Sequence, residues 1–276
     1  MNQTVAPRIA AIINALTFVG MLVVNILATS LPLNDMTTGE LSDALPNLFV
    51  PIGLTFSIWG VIWLLLAVYL GFQIRTAFGG GGATSSSADS SQTGPYLPRV
   101  VGAWFPVNMV LNAGWIFAWH YQLVGLSVII MFALLATLIA MFLRVDRAVT
   151  SAGGGRFARV PISVYFGWIT IATIANITAF LVSVDWGGFG IPETVWTVIV
   201  IAAGLAVTLA MLIRHRNIAF SAVAVWAFAG IAAKRVAEGT PEGPAVLVTA
   251  IIAALVVAVV AVITLVRGRA ATGASG

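Results

Sequence analysis

Hydrophobic runs long enough to cross the hydrocarbon core of a bilayer recur along the whole chain. A helix needs about 20 mainly apolar residues to span roughly 30 Å. We read eight such runs, at about 8–31, 50–74, 100–120, 122–143, 158–183, 191–213, 217–236 and 244–266. Their length and continuity indicate helices rather than barrel strands, because a helix satisfies its own backbone groups in lipid. The pattern predicts an all-α, polytopic membrane helix bundle with about eight transmembrane helices.

The composition supports this environment. Hydrophobic residues make up 60% of the chain and charged residues 8%, and the mean hydropathy is +1.05. A water-soluble domain cannot bury so much apolar surface, so lipid is the expected partner. The chain has no cysteine, which excludes disulfides, thiolate metal sites and cysteine nucleophiles.

The charged residues predict the orientation of the chain. With eight spans and a cytoplasmic N-terminus, eleven of the 13 basic residues lie on one side, and only Lys234 and Arg235 lie on the other. Seven of the nine acidic residues lie opposite the eleven. This positive-inside pattern predicts a multi-pass protein of the cell membrane with both termini in the cytoplasm. The basic charge is therefore a topology feature, and no nucleic-acid partner is expected. The first run contains Asn14 and Asn25 and is long for a signal core, so we expect a mature helix.

Two connections between the runs are long. The segment from Phe78 to Gly94 is rich in glycine and serine and predicts a flexible linker, not a phosphate-binding loop. The segment from Leu31 to Pro51 contains three acids and three prolines and is long for a helix connection. It either folds over the outer mouth of the bundle or is a passive solvated loop.

The third run presents amides and indoles on one helical face. Helical spacing brings the following side chains to that face: Trp104, Asn108, Asn112, Trp115 and Trp119. An unpaired amide is costly in hydrocarbon, so the face should point into the bundle. It either hydrogen-bonds neighbouring helices or faces a ligand. Trp104 and Trp119 also fit an interfacial belt, whereas Trp115 lies deeper.

Two further runs repeat the theme. Trp59 and Trp63 are one turn apart in the second run, and Trp168, Ala172 and Asn176 share a face of the fifth. Such walls suit a flat, apolar, conjugated ligand, because they offer ring stacking and a few hydrogen bonds. The alternative is a bulky helix–helix core.

Few residues suit ordinary catalysis. The spans hold no carboxylate pair and no HExxH motif, and we predict no catalytic residue and no metal ligand. Lys234 and Arg235 end the seventh run. They either snorkel or pair with Glu238 and Glu242, or they hold an anionic group at the outer mouth.

Three local motifs in the first five runs resemble the translocator protein/tryptophan-rich sensory protein (TspO/MBR) family. Pro51 followed by Trp59 and Trp63 is similar to the family's second-helix pattern. The residues LNAGW at 111–115 are similar to its third-helix pattern, Leu-Asn-x-x-Trp. The residues YFGWITIATIAN at 165–176 are similar to its fifth-helix pattern of Tyr, Trp, Ala-Thr and Asn. The long loop after the first run also fits, and the resemblance covers about residues 8–185.

The resemblance implies a five-helix core, residues 1–185, that binds a porphyrin or similar tetrapyrrole under the long loop. Residues 186–276 are then a three-helix membrane extension with a short cytoplasmic tail. No cofactor is required, a tetrapyrrole-like small molecule is the expected ligand, and a homodimer is left open. The predicted ligand-binding residues are Trp59, Trp63, Asn108, Asn112, Trp115, Tyr165, Trp168, Ala172 and Asn176.

The resulting expectation is a sensor or transporter of a hydrophobic, conjugated molecule. A membrane enzyme that modifies such a molecule is one alternative, and a structural membrane protein without a ligand is the other.

Overall fold

The structure is a computed structural model that describes residues 5–31, 33–78, 100–151 and 159–273. The linker predicted after Phe78 lies outside these ranges. Within them the chain is helical. The α-helices are α1 (Val5–Ser30), α2 (Thr38–Asp43), α3 (Ile58–Phe78), α4 (Trp104–His120), α5 (Val124–Ser151), α6 (Val160–Ser183), α7 (Glu193–His215), α8 (Ile218–Glu238) and α9 (Gly243–Gly273).

The predicted all-α, polytopic membrane bundle is confirmed. Seven helices in the described part of the chain are long and apolar enough to cross a membrane: α1, α3, α5, α6, α7, α8 and α9. The helix α4 has 17 residues, which is the lower end of the lengths that span hydrocarbon. It packs between α1 and α5 and so belongs to the same bundle. The short helix α2 lies in the loop after α1.

The first five long helices close into a ring. α1 packs on α3 and α4, α4 on α5, α5 on α6, and α6 returns to α3. The helices α7, α8 and α9 pack on one another beside this ring, and α8 lies against α6. The two groups approach closely at Gly167 of α6, where an added Cβ would lie 3.0 Å from the Phe220 carbonyl oxygen. A small residue is therefore required at this helix crossing.

The segment between α1 and α3 folds against one end of the bundle, here called the loop end. Its helix α2 begins with a capping box, in which the Thr37 hydroxyl accepts from the Glu40 N–H and the Glu40 carboxylate accepts from the Thr37 N–H. Phe49, Val50 and Thr55 are buried. The segment is thus a folded cover, and the alternative of a passive loop is wrong.

The helix α8 holds this cover in place. The Ile52 N–H donates to the Gly230 carbonyl at 3.0 Å, and the Trp226 indole N–H donates to the Thr55 carbonyl at 2.9 Å. Gly230 allows the contact, because a Cβ there would lie 2.0 Å from the Thr55 hydroxyl oxygen. A salt bridge from Lys234 on α8 to Asp43 on α2 adds a charged tether.

The basic pair at the end of α8 forms ion pairs. Lys234 contacts Glu238 at 3.8 Å in addition to Asp43, and Arg235 contacts Glu238 at 2.9 Å. The predicted pairing is therefore confirmed for Glu238. Glu242 is not among the ion-pair partners found in the described ranges.

Candidate ligand site

Aromatic side chains pack together between α3, α4 and α6. The Trp59 ring centroid lies 6.4 Å from that of Trp63 and 6.3 Å from that of Trp115. The rings of Tyr165 and Trp168 meet Trp59 edge-on, with centroids 5.9 and 6.3 Å away. These geometries are those of favourable aromatic pairs. The tryptophan cluster is defined here as Phe56, Trp59, Trp63, Trp115, Trp119, Tyr165 and Trp168.

A cavity of about 40 Å³ lies between the tryptophan cluster and the cover. This volume admits a water molecule or so, whereas pockets for drug-sized ligands measure about 300–1,000 Å³. Its described lining carries no acidic or basic side chain. The lining residues are Thr38, Ser42, Phe49, Pro51, Phe56, Trp59, Trp115, Trp119, Trp168, Ile171, Ala172, Ala175 and Asn176.

The structure brings five of the nine sequence-predicted residues to this cavity: Trp59, Trp115, Trp168, Ala172 and Asn176. The other four lie nearby but are absent from the described lining. Trp63 stacks behind Trp59, and Tyr165 meets the edge of Trp59. Asn108 and Asn112 are fully buried between helices. The ligand-binding role of all nine remains a prediction.

Asn112 bonds three helices of the ring together. Its amide N–H donates to the Tyr165 hydroxyl on α6 at 2.8 Å. Its amide oxygen accepts from the Asn25 side chain on α1, also at 2.8 Å. The Asn25 amide nitrogen also contacts the Met21 carbonyl oxygen of its own helix. The Asn112 amide thus has hydrogen-bond partners on two other helices of the protein. Bonding between helices is therefore sufficient to explain why an asparagine occupies this position on the polar face.

Asn108 makes a smaller set of contacts one turn earlier. Its amide N–H donates to the Thr137 hydroxyl at 2.7 Å and lies 3.4 Å from the Leu134 carbonyl oxygen. Its amide oxygen is buried without a partner among the described residues. This asparagine therefore links α4 to α5 alone.

Asn176 puts an amide at the edge of the cavity and fixes one wall. Its oxygen accepts from the Trp115 indole N–H at 3.2 Å, and its nitrogen donates to the Ser127 hydroxyl at 2.9 Å. The Ser127 hydroxyl donates in turn to the Val124 carbonyl at 2.7 Å. The Trp115 indole is therefore bonded to an amide that is itself bonded to α5, which fixes the orientation of the ring.

Trp168 lines the cavity with a polar group that has no partner. Its side chain is 3% exposed, it lines the cavity, and its indole N–H has no acceptor in the described part of the protein. The Trp63 indole N–H is likewise buried without an acceptor but does not belong to the cavity lining. Buried donors are usually bonded, so these two require an explanation.

Sequence reasoning missed the cover residues that close the cavity. Thr38 is held by α4, because the Trp119 indole N–H donates to its carbonyl at 3.3 Å and its hydroxyl lies 3.1 Å from the His120 Nε2. The His120 Nδ1 lies 3.0 Å from the Leu33 carbonyl oxygen and so carries the proton donated to it. The sequence pointed to this part of the wall only through Pro51 in the second-helix motif and through the length of the segment from Leu31 to Pro51.

The fold and the site together define a polytopic helical membrane protein with a buried, tryptophan-rich aromatic cluster. The chain belongs to the TSPO-like protein family, because the profile of that family matches residues 11–263. The match runs through α7, α8 and most of α9 as well as the ring. Searches of curated proteins and of solved structures each found no match.

Proposed function

We propose that this protein binds a flat, apolar, conjugated small molecule of the tetrapyrrole type against the tryptophan cluster. In this role it acts as a sensor or transporter of that molecule. Its family membership supports the proposal, and so does a cavity walled by indole rings from three helices. Such rings offer stacking surfaces to any extended π-system.

The observation that carries the proposal is the unpartnered indole N–H of Trp168. A buried donor without an acceptor costs about 1–3 kcal/mol. A ligand that brings a carbonyl or carboxylate oxygen to this point removes that cost while its rings stack on the neighbouring indoles. Tetrapyrroles combine a flat apolar body, which can stack on the indole rings, with oxygen atoms at the edge, which can accept from the Trp168 N–H.

Ligand entry requires the cover to move, since the closed cavity of about 40 Å³ is far below the volume of such a ligand. Thr38 and Ser42 of α2, with Phe49 and Phe56, form the side of the cavity opposite the helices. We propose that these residues swing away together. The tethers that must break or stretch include the Lys234 salt bridge to α2.

This arrangement assigns different tasks to the two parts of the chain. Residues 1–185 are proposed as the ligand-binding core, because the described lining comes from this part. Residues 186–276 are proposed as an extension that holds the cover through α8. A ligand that displaces the cover then changes the contacts of α8, which is a route by which binding could be sensed.

The test is a titration of the detergent-purified protein with protoporphyrin, followed by quenching of tryptophan fluorescence. Trp168→Phe keeps an aromatic ring but removes the N–H. We expect it to weaken binding about fivefold, the worth of one hydrogen bond. Trp104→Phe is the control, because Trp104 is on α4 but lies outside the tryptophan cluster and outside the described cavity lining. Equal affinities for the two variants, or no binding by the unmodified protein, would contradict the proposal.

A further inference from the structure

A second and larger cavity, open on one side, lies at the loop end between the end of α6 and the start of α7, and the side chains of Asp185, Trp186 and Glu193 in it are exposed. Its volume is about 620 Å³, within the range of pockets that hold drug-sized molecules. Its lining includes Asp185, Trp186, Glu193 and Trp196, with Asn47 of the cover at one side. None of its described lining residues also lines the cavity of the tryptophan cluster.

Two tryptophans form an aromatic corner in this cavity. The centroids of the Trp186 and Trp196 rings lie 5.2 Å apart with an interplanar angle of 55°. The Trp196 indole N–H donates to the Gly188 carbonyl at 2.9 Å, which fixes the Trp196 ring. Gly188 adopts a φ of +58°, and a Cβ there would lie 3.3 Å from the Trp196 nitrogen, so glycine suits this turn.

Asp185 brings negative charge to a place where the helix itself does not favour it. The Trp186 N–H bonds to the Leu181 carbonyl and the Asp185 N–H to the Val182 carbonyl, which makes Asp185 the left-handed residue of a Schellman motif. A carboxylate at the negative end of a helix dipole is unfavourable. No ion-pair partner for Asp185 occurs in the described ranges.

Glu193 supplies the second carboxylate of the cavity and also links it to the cover. Its oxygen accepts from the Leu48 backbone N–H at 2.7 Å. The described lining contains no lysine or arginine that would neutralise the two acids. The cavity therefore combines two carboxylates, an aromatic corner and otherwise mainly apolar walls.

We propose that this cavity binds an organic cation with an apolar body, of the quaternary ammonium type. Aromatic faces attract such cations, the carboxylates complement their charge, and the apolar walls accept their hydrocarbon part. Carboxylate and aromatic groups together favour a cation over a neutral molecule of the same shape. The source of the cation is either a soluble compound or the choline headgroup of a lipid.

The test is a ligand-observed NMR titration of the full-length protein in an uncharged maltoside detergent. The probe is phenyltrimethylammonium, and its neutral isostere tert-butylbenzene is the comparison. The protein should bind the cation at least tenfold more tightly than the isostere, and Asp185→Asn should weaken cation binding about three- to fivefold. Asparagine accepts the left-handed conformation and removes an unfavourable charge from the helix end, so this variant should fold at least as well.

Asp35→Asn is the matched control. Asp35 also lies at the loop end, has a φ of +61° and does not line this cavity. The Asp35→Asn variant should bind the cation with the same affinity as the unmodified protein. Equal affinities of Asp185→Asn and Asp35→Asn, or equal binding of the cation and its isostere, would overturn the proposal.

A competition experiment separates the two sources of the cation. Competition by dihexanoylphosphatidylcholine but not by dihexanoylphosphatidylglycerol identifies the lipid headgroup as the source. No competition by either lipid identifies a soluble cation. Equal competition by both lipids would show that the cavity takes acyl chains, and it would contradict the assignment.

Discussion

Replacing Asn112 by leucine tests whether the polar face of α4 serves folding or ligand binding. Leucine has a similar volume but no hydrogen-bonding group. The change removes the bond to the Tyr165 hydroxyl on α6 and the bond from Asn25 on α1. It leaves the contact between the Asn25 amide nitrogen and the Met21 carbonyl oxygen in place.

The expected loss of stability follows from these two bonds. An interhelical hydrogen bond in a membrane protein is worth about 0.6 kcal/mol on average and about 1.7 kcal/mol at most. Two bonds therefore give a loss of about 1–3 kcal/mol in the free energy of unfolding. Because Asn112 does not belong to the described lining of the cavity, protoporphyrin affinity should change less than twofold.

The assay is reversible unfolding in mixed micelles of maltoside and sodium dodecyl sulfate, followed by far-ultraviolet circular dichroism. Asn108→Leu is the matched control, since Asn108 is equally buried on the same helix. The Asn108→Leu variant loses the bond to the Thr137 hydroxyl, which lowers stability. It also removes a buried amide oxygen that has no described partner, which offsets part of that loss. We expect it to lose about 0.6 kcal/mol or less.

The reasoning is refuted if Asn112→Leu is no less stable than Asn108→Leu. It is also refuted if Asn112→Leu folds normally and loses ligand affinity, because the amide would then serve the ligand rather than the helices.

Three further predictions concern the cover and the orientation of the chain. Gly230→Ala should lose about 1–3 kcal/mol in the same unfolding assay, because its Cβ would collide with Thr55, whereas Gly60→Ala, with open space around the new Cβ, should not. The backbone N–H and then the hydroxyl of Thr37 hold the pKa of Glu40 below its ordinary value, so the capping box stabilises α2 at neutral pH. That stabilisation should be lost as the pH falls through the lowered pKa. Hydrogen exchange of the α2 amides, relative to their intrinsic rates, should then become faster in the unmodified protein, and Glu40→Gln should not show this change with pH. A cysteine introduced in α2 should react with an impermeant reagent in intact cells, and labelling only after permeabilisation would reverse the proposed cytoplasmic placement of both termini.

The helices could be predicted from the sequence because they depend on local spacing, whereas the aromatic cluster was implied by motifs that resemble those of the TspO/MBR family. Apolar runs fix the lengths of the helices, and spacing by three and four residues places Trp115 and Asn112 on one face. The family resemblance of the motifs around Trp59 and Trp168 implied one centre, and the structure places their rings 6.3 Å apart.

The sequence offered a folded cover as one of two alternatives, but the contacts that hold it could not be predicted, because they join residues far apart in the chain. The bond from Trp226 to the Thr55 carbonyl spans 171 positions, and the bond from Leu48 to Glu193 spans 145. No local periodicity reports such contacts. The hydrogen-bond partners of the asparagines could not be predicted for the same reason, since nothing near Asn25 in the sequence indicates that it bonds Asn112.

The most direct test of the central claim is a protoporphyrin titration of Ala172→Leu beside Ala206→Leu. Ala172 lines the cavity on α6, whereas Ala206 is exposed on the outer face of α7. Added bulk where space is limited costs about 1–3 kcal/mol. If the ligand-bound state bears this cost, Ala172→Leu should bind about 5- to 150-fold more weakly than the unmodified protein. Ala206→Leu should bind normally, and both should remain folded by circular dichroism. Unchanged protoporphyrin affinity in folded Ala172→Leu would contradict a ligand site at the tryptophan cluster.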